Sequence, residues 1–417
     1  MDGTVVLGLG GCVDHELTLS APVMEQLIRE YRIRADELTA PVAITDEREL
    51  VISVLTYLQK GGGGEHYVAS AATLRQFTQR FPIRTTLGGT SVRAAKELSR
   101  LGVPSTLHLV SINDVVRRLL PADTDYICSD DKDTFNPNVI VQYAQDLQVR
   151  AGDIDLCAPF PNRLIYANDP ANSSMLLSPE LGPLLSGARL FLISGFNSLR
   201  DQQLLDARLS SLQDHLRQLP EAAIVYYEDA GFHQPAFSQR VREALLDRIN
   251  IYGLNEDEMQ TYLGRTVNLL SVNEVANALE SLRAFIPGPT LVVHTKYWSA
   301  ALGEGDHTEA LNEGIVVAST RYAHGDNSTH DDYTRMQTHP RRPDATEFAK
   351  ALEHEMGGLI RCLPALQLDI PNPTTIGLGD AFVGGFLAAT ASPGSARVHG
   401  NGNGNGNGNG NGNGSGQ

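Results

Sequence analysis

The amino-acid sequence predicts an α/β fold with a mainly parallel, doubly wound sheet that is flanked by helices. Short apolar runs, typical of buried strands, alternate with longer segments whose apolar residues recur at helical spacing. Strands that alternate with helices favour parallel pairing, with helices on both faces of the sheet. With 417 residues, of which 41% are apolar, the chain can form one large domain or a large domain that carries a smaller one.

The N-terminal segment begins with a strand pattern and continues with a helical one. An apolar run at 4–9 predicts the first strand and places the carboxylate of Asp14 just past its end. Residues 22–60 show apolar periodicity and are predicted to be helical. The glycines at 61–64 then end the helical pattern immediately before Glu65.

The rest of the chain continues the alternation of strands and helices. Gly88 and Gly89 form a predicted turn into a helix at 90–101, which is followed by a strand at 105–110. Further strands are predicted at 163–167, 190–194, 222–227, 291–295 and 314–319. The last ordered element is a predicted helix that runs from about 380 to 390.

Composition excludes several classes of partner. The 33 basic and 49 acidic side chains give a formal charge of −16, which repels nucleic acid, and no local basic patch offsets it. No apolar run reaches the roughly 18 residues of a membrane span, and no leader pattern follows Met1. The four cysteines are scattered without a Cys-x-x-Cys pair, which indicates a reduced compartment. We therefore expect a cytoplasmic protein with no membrane or nucleic-acid partner.

The strongest chemical signal is the segment Gly377-Leu378-Gly379-Asp380, which precedes a small-residue apolar helix. Its two glycines allow the amides of Gly377, Leu378 and Gly379 to turn toward one point at a helix start, where the dipole also favours an anion. Asp380 at the same terminus can accept a proton from an alcohol while these amides hold a transferred phosphoryl group. The segment predicts phosphoryl transfer, and an ordinary turn with a helix cap is the structural alternative.

The same four-residue pattern occurs a second time, at Gly303-Glu304-Gly305-Asp306. A pattern this short arises by chance in about one chain in ten at ordinary glycine usage, so its context has to decide. Polar residues at 307–309 follow this second copy, whereas an apolar helix follows Asp380. We therefore predict a surface turn at 303–306.

Two acidic groups come after predicted strands. Residues 255–258 place an amide and three acids at a helix start, where they can hold magnesium through its waters or simply complement the helix dipole. Glu228 and Asp229 follow the strand at 222–227, and ligands in open α/β sheets gather at such strand ends. His294 also closes a strand, although a single histidine there is more often structural than functional.

In order and spacing, these segments resemble the ADP-dependent glucokinases, a branch of the ADP-dependent glucokinase/phosphofructokinase family in the ribokinase-like superfamily. The resemblance covers most of the chain. The segments that end at Asp14 and Glu65 match a strand with a sugar-binding aspartate and a small-residue run with a sugar-contacting glutamate. The resemblance implies that Asp14, Glu65, Gly88 and Gly89 bind the substrate.

The resemblance also implies a divalent metal ion, Mg²⁺, near Glu228, Glu258 and Asp380. Glu258 belongs to the Asn-x-x-Glu pattern that begins at Asn255. The family carries a His-x-Glu motif at the position of Glu228, but here Tyr226 stands in place of the histidine. This departure weakens the metal assignment without removing it.

Other landmarks of the family follow the same order. His294 and Thr295 resemble its His-Thr strand end, which implies contact with the nucleotide. Segments 162–165 and 168–169 and the pair 194–195 also resemble family segments. Thr90 and Ser91 follow the Gly-Gly turn, where small or amide residues are usual, and so depart in part from the pattern.

The resemblance implies an ADP-dependent glucokinase of glycolysis, which transfers a phosphoryl group from ADP to the 6-hydroxyl of D-glucose and yields glucose 6-phosphate and AMP. It implies one kinase domain over 1–391, with a smaller β-rich lid built from segments within about 15–185. We favour a monomer, although the sequence does not reveal the oligomeric state. Residues 392–417, with seven Asn-Gly repeats, are too poor in apolar side chains to offset the entropy of ordering and are predicted to be disordered.

Three other functions stay open at this point. The segment after Gly379 also looks like that of ATP-dependent, ribokinase-type carbohydrate kinases, which share the fold and the base. An ADP-dependent phosphofructokinase is the second alternative, but Glu65 favours a neutral sugar because a second anion beside a substrate phosphate costs electrostatic energy. The third is a non-catalytic homologue that only binds a sugar or a nucleotide.

Overall fold

The computed structural model of the protein describes residues 3–39, 43–232, 234–370 and 373–392. The segment predicted to be disordered lies outside these described residues, apart from Ser392. Within the described part of the chain, no helix combines the length and the apolar character that crossing a membrane requires.

Strands and helices alternate along the chain. The strands are β1 (Thr4–Leu7), β2 (Cys12–Thr18), β3 (Gly64–Tyr67), β4 (Arg84–Gly88), β5 (Ser105–Leu109), β6 (Thr124–Cys128), β7 (Asn138–Tyr143), β8 (Gln148–Ala151), β9 (Ile154–Cys157), β10 (Asn162–Ala167), β11 (Ala188–Ile193), β12 (Ile224–Glu228), β13 (Ile251–Asn255), β14 (Thr290–His294), β15 (Trp298–Leu302) and β16 (Ile360–Pro364). The helices are α1 (Ala21–Tyr31), α2 (Glu47–Lys60), α3 (Ala71–Thr78), α4 (Thr90–Arg100), α5 (Asp114–Leu119), α6 (Pro170–Ser174), α7 (Leu181–Leu185), α8 (Gln202–Leu216), α9 (Pro235–Leu245), α10 (Glu256–Leu263), α11 (Val272–Phe285), α12 (Thr308–His324), α13 (His330–Gln337), α14 (Pro343–Met356) and α15 (Leu378–Thr390).

Nine of the described strands form one large sheet, in the order β16-β15-β14-β13-β12-β11-β1-β5-β6. The strands from β14 to β6 run parallel to one another. Strands β15 and β16 add an antiparallel edge. The central strands are apolar and covered on both faces, as in β14, where every residue is buried. The predicted mainly parallel sheet is thereby confirmed.

Helices cover both faces of the large sheet and create two separate cores. One core includes Leu279 of α11 and Leu352 of α14. The other includes Val92 of α4, Ile315 of α12 and Phe386 of α15. This arrangement is the doubly wound architecture, and it fixes the start of α15 next to the carboxyl ends of the parallel strands.

A smaller sheet has five strands in the described part of the chain, in the order β3-β10-β7-β2-β4. One of its faces packs against α1, α2 and α3 around a third core, which includes Leu27, Leu55 and Phe77. Polar side chains, among them Asp14 and Glu16 of β2, are buried elsewhere on this sheet. The chain thus carries the predicted smaller β-rich unit, and its role as a lid with limits of about 15–185 stays a prediction.

The predicted strand at 314–319 is wrong, because these residues lie in α12. An apolar run of this length fits a buried helix as well as a buried strand, and the period alone does not separate them. Here the helix is favoured by close packing on α15, since a Cβ added at Gly314 would lie 2.7 Å from the ring of Phe382.

Two predictions for the N-terminal segment also need correction. Residues 22–60 do not form continuous helical structure, because α1 ends at Tyr31 and α2 begins only after Asp46. The residue after α1, Arg32, adopts the left-handed conformation. Asp14 does not follow a strand but lies inside β2, since the chain enters the small sheet directly after the glycines that end β1. The direction of the Asp14 side chain is therefore set by the pleat of β2.

Candidate active site

A cleft of about 580 Å³ lies between the small sheet and the carboxyl ends of the large sheet. The structure brings ten of the predicted site residues into its lining, namely Asp14, Glu65, Gly89, Glu228, Glu258, His294, Gly377, Leu378, Gly379 and Asp380. Residues far apart in sequence, from both sheets, thus meet around one cavity of the size that binds small molecules.

Gly88 and Thr295 are not part of the cleft lining. A Cβ at Gly88 would lie 2.1 Å from a carboxylate oxygen of Asp14, so this glycine makes room for the Asp14 side chain. The Thr295 hydroxyl closes the turn between β14 and β15, because it accepts hydrogen bonds from the backbone amides of Tyr297 and Trp298. A contact between Thr295 and the nucleotide stays a prediction that this geometry does not favour.

The predicted anion cradle forms the first turn of α15. Gly377 precedes the helix in the left-handed conformation, with φ +67°, which a glycine adopts without the strain of a side chain. No side chain caps this helix start, and Leu378 and Gly379 both line the cleft. Asp380 lies in the same turn and its side chain is 24% exposed. The cradle and a carboxylate thus share one end of one helix.

The second copy of the glycine pattern has a different setting. Residues 303–306 form the connection between β15 and α12, and Asp306 is exposed. Its carboxylate accepts a hydrogen bond from the backbone amide of Thr308, as a helix cap does. The predicted surface turn is confirmed at this position.

Asp14 and Glu65 face the cleft from the small sheet. Burial raises the pKa of Asp14, although the neighbouring guanidinium of Arg93 opposes this increase. The Glu65 carboxylate is open to the solvent of the cleft but enclosed by its walls, and this loss of hydration, together with the charge of Asp14, raises its pKa. Two hydrogen-bonding carboxylates therefore stand opposite the Asp380 side of the cleft.

Arg93 of α4 is the functional candidate that sequence reasoning missed. Its Nη2 lies 2.8 Å from Asp14 Oδ2 and its Nε lies 3.5 Å from Asp380 Oδ2. The side chain is only 5% exposed. One signal was available in the sequence, because a cation near the start of a helix opposes the dipole and needs another reason to be there. Arg93 therefore connects a carboxylate of the small sheet with the predicted base.

Two further arginines line the cleft. Arg163 of β10 belongs to a segment that sequence analysis singled out only by its resemblance. Burial lowers the pKa of its guanidinium, which makes no ion pair with a carboxylate that the structure describes. Arg200 is exposed and lies 4.1 Å above the ring of Tyr67 at the mouth of the cleft. The cleft therefore offers cations as well as carboxylates.

Glu228 and Glu258 lie together at the ends of β12 and α10. Glu228 is buried, with Oε1 2.9 Å from His294 Nε2 and Oε2 3.3 Å from the hydroxyl of Tyr226. Glu258 accepts a hydrogen bond of 2.7 Å from the amide of Asn255 in a capping box. Burial and the charge of Glu228 raise the pKa of Glu258 to about 8. Both interpretations of the 255–258 cluster, capping and a charged site, thus stay compatible with the structure.

Glu228 and Glu258 can hold a magnesium ion that keeps most of its water, but they do not form a complete metal cage. Within the described residues, no group of three or more His, Cys, Asp or Glu side chains is arranged as a metal cage. Mg²⁺, however, keeps most of its water and needs only one or two carboxylates together with substrate phosphates. The Glu228 carboxylate is contacted by the hydroxyl of Tyr226 and by the ring of His294. Glu228 and Glu258 are therefore suited to a hydrated ion that arrives with the nucleotide.

Comparison with known proteins identifies the family. A family model described as the ADP-specific Phosphofructokinase/Glucokinase conserved region matches residues 3–388. No curated protein matches the sequence.

Solved structures share the fold at low sequence identity. A hypothetical ADP-dependent phosphofructokinase from Pyrococcus horikoshii OT3 is 17% identical, with a TM-score of 0.73 over 93% of this chain and 97% of that chain. A phosphofructokinase from Pyrococcus horikoshii OT3 with AMP gives 17% identity and a TM-score of 0.72, with the same coverage of 93% and 97%. An ADP-dependent kinase in complex with fructose-6-phosphate and ADPbetaS is 12% identical, with a TM-score of 0.69 over 92% and 93% of the two chains.

Proposed function

The chain belongs to the family of ADP-specific phosphofructokinases and glucokinases, which are ADP-dependent sugar kinases, and on this premise we propose that it phosphorylates glucose. In the proposed reaction, the terminal phosphoryl group of ADP moves to the 6-hydroxyl of glucose. One observation carries the proposal. Asp380 and its glycine cradle share a cleft with two carboxylates of the small sheet, Asp14 and Glu65, that can bind sugar hydroxyls.

Different residues of the cleft have different roles in this reaction. Asp380 accepts the proton of the sugar hydroxyl while the hydroxyl oxygen bonds to the β-phosphorus of ADP. The bond between the β-phosphorus and the bridging oxygen breaks, and this oxygen leaves with AMP. The amides at Leu378 and Gly379 hold charge on the transferred group. When bound near Glu228 and Glu258, magnesium supplies positive charge to the phosphates. Closure of the small sheet over the sugar would exclude water, the competing acceptor.

The charge of the cleft supports a neutral sugar and a cation-dependent donor. Among the described lining residues, seven are carboxylates and three are arginines. Such a lining repels a nucleotide diphosphate unless a divalent cation accompanies it. Glu65 stands on the side of Asp14, where a phosphorylated sugar would bring a further negative charge. Glucose avoids this repulsion.

A specific observation favours phosphofructokinase as the second candidate. Arg163 lines the cleft without a carboxylate partner among the described residues, and a guanidinium of this kind suits a sugar phosphate. One of the structures with the same fold is a complex with fructose-6-phosphate. Glu65 therefore favours glucose and Arg163 favours fructose 6-phosphate, and turnover of the two sugars has to be measured to distinguish them.

Turnover of the purified full-length chain tests both candidates. The protein is incubated with magnesium and either glucose or fructose 6-phosphate, and ADP or ATP is supplied separately after removal of contaminating nucleotide. Formation of glucose 6-phosphate and AMP from ADP is the expected result. Turnover of fructose 6-phosphate alone assigns the second candidate, and turnover with ATP alone contradicts the ADP-dependent assignment for this chain.

Absence of turnover with both sugars and both nucleotides favours the non-catalytic alternative. Binding of ADP and glucose by calorimetry then shows whether the cleft is a binding site without chemistry. We also propose that the protein is cytoplasmic and monomeric, and size-exclusion chromatography with light scattering tests whether it is a monomer.

A further inference from the structure

Arg93 is a buried cation at the junction of the two sheets. Arg93 lies in α4, which packs on the large sheet, and its guanidinium donates a hydrogen bond to Asp14 in β2 of the small sheet. Glu16 of the same strand lies 3.9 Å from Nη2. Burial opposes the charged form, but Asp14, Asp380 and Glu16 together raise the pKa of Arg93, so its guanidinium stays charged.

One donor of this guanidinium is unused. Nη2 donates to Asp14, and Nε faces Asp380, but Nη1 is buried without a hydrogen-bond partner among the residues that the structure describes. A buried charged donor without an acceptor is costly, and native structures rarely retain one without a reason. An acceptor that arrives with the substrate would supply that reason.

Nη1 lies against the anion cradle. A Cβ added at Gly377 would be 2.4 Å from Arg93 Nη1, so this nitrogen approaches the very residue that opens the cradle. Gly377 thus serves two purposes, because it adopts a positive φ and leaves space for the guanidinium. Leu378 and Gly379, at a helix start that no side chain caps, line the same cleft. A side-chain donor and the first backbone amides of α15 therefore lie at one helix start, where an anion is favoured.

A purely structural role would leave part of this geometry unexplained. A counter-charge for Asp14 and Glu16 needs only the Nη2 edge of the guanidinium. It does not need Nη1 to approach Gly377, nor a position 3.5 Å from the carboxylate of Asp380. The orientation of Arg93 instead suits a group that binds an anion beside the base.

We propose that Arg93 binds the phosphoryl group during its transfer, with Nη1 donating to a non-bridging oxygen while Nε orients Asp380. The proposal rests on the proposed function and deepens it. Arg93 remains protonated throughout, since the hydroxyl proton goes to Asp380 and AMP is the leaving group.

Kinetics of Arg93→Gln and Arg93→Lys test this role. We expect kcat of Arg93→Gln to fall by about 10²- to 10³-fold, since its contact with the phosphoryl group strengthens in the transition state. The affinity for Mg·ADP should change by less than about fivefold, and Arg93→Lys should recover part of kcat because it restores the charge without the fork. Arg100→Gln is the matched control, as Arg100 lies on the same helix, pairs with Glu97 and does not line the cleft.

Chemical rescue separates binding from structural support. In Arg93→Ala, added guanidinium at concentrations that do not denature the protein should restore turnover, and it should restore none in Asp380→Asn. Thermal unfolding of each variant identifies those that fail to fold, and Arg93→Lys, which keeps the positive charge, then serves as the kinetic test. Arg93→Gln with kcat within twofold of wild type overturns the proposal, and so does a folded Arg93→Lys variant that loses ADP affinity as much as kcat.

The result also distinguishes this proposal from the function on which it rests. An active Arg93→Gln beside an inactive Asp380→Asn overturns the role of Arg93 and leaves the base intact. An active Asp380→Asn overturns the proposed site itself.

Discussion

The two sheets present their functional side chains in different ways. On the large sheet, Glu228 and His294 end parallel strands, and Asp380 begins a helix, so each stands where the backbone pattern changes. On the small sheet, Asp14 lies in the middle of β2 and reaches the cleft because of the face on which the pleat places it. The difference teaches that the position of a candidate residue at an element end depends on local geometry, whereas the position of a candidate residue within a strand depends on how the two sheets are assembled.

Removal of the proposed base at the large sheet should have the largest effect and tests whether the chemistry takes place at that sheet. Asp380→Asn should lower kcat by about 10³-fold or more, because the hydroxyl proton loses its acceptor, while the affinity for ADP and sugar changes little. Steady-state kinetics and calorimetry measure the two effects separately. Asp306→Asn in the second copy of the glycine pattern is the matched control and should keep wild-type turnover. Near-native kcat in Asp380→Asn would show that the cradle end of α15 does not hold the base.

The ion pairs that join the two sheets offer the next largest effect. Asp326 contacts Arg84 of β4, Lys96 of α4 and Arg321 of α12, at distances of 3.2, 3.0 and 2.8 Å. Asp326→Asn should lower the free energy of unfolding by about 2 kcal/mol at pH 7, because three cations lose a shared partner. Urea denaturation measures this change.

The pH dependence of this effect follows from the pKa of Asp326. Burial raises that pKa, but Arg321 and Lys96 outweigh burial, so the pKa in the folded state lies below the unfolded value. The stabilisation is therefore fully present above the unfolded pKa of about 3.9 and is lost as the pH falls through the folded pKa. The difference between wild type and Asp326→Asn should stay constant from pH 6 to 8 and shrink below about pH 4. The exposed pair of Asp344 with Arg342 provides the control, and Asp344→Asn should leave the free energy of unfolding nearly unchanged because solvent screens this pair.

Glu65 sharpens the comparison from the side of the small sheet. Glu65→Gln should raise the KM for glucose about tenfold and change kcat less than threefold, because a charged hydrogen bond to the bound sugar is weakened. The same variant should lower the KM for fructose 6-phosphate, since a negative charge leaves the sugar site. Glu221→Gln, an exposed glutamate outside the cleft, should behave as wild type. An unchanged KM for both sugars would place the sugar elsewhere.

The smallest expected effect concerns the residue that departs from the family motif. Tyr226→Phe removes a long hydrogen bond of 3.3 Å to Glu228, while the contact of 2.9 Å from His294 remains. The magnesium concentration for half-maximal turnover should therefore rise by less than about threefold. A large rise would mean that Tyr226 has taken over the task of the missing histidine.

The cradle and the fold class could be predicted because they depend on neighbours in sequence. Two glycines before an apolar helix predict a helix start that favours an anion, and the alternation of strands and helices favours a parallel sheet. The error at 314–319 has a physical cause as well, since close packing of α12 on α15 favours a helix for an apolar run of ambiguous period. The nucleotide contact of Thr295 was implied by the family resemblance and stays a prediction, while its hydroxyl accepts hydrogen bonds within a turn.

The sequence by itself determined that a glycine turn and a carboxylate share one helix start, because Asp380 and its glycines lie within four residues of one another. Only the tertiary structure decided what faces that site. Arg93 and Asp14 are separated by 79 positions in the chain, and they meet because the pleat of β2 and the buried face of α4 turn both side chains toward the same gap. Contacts of this kind depend on which face each element buries, and that choice is made only when the two sheets pack together.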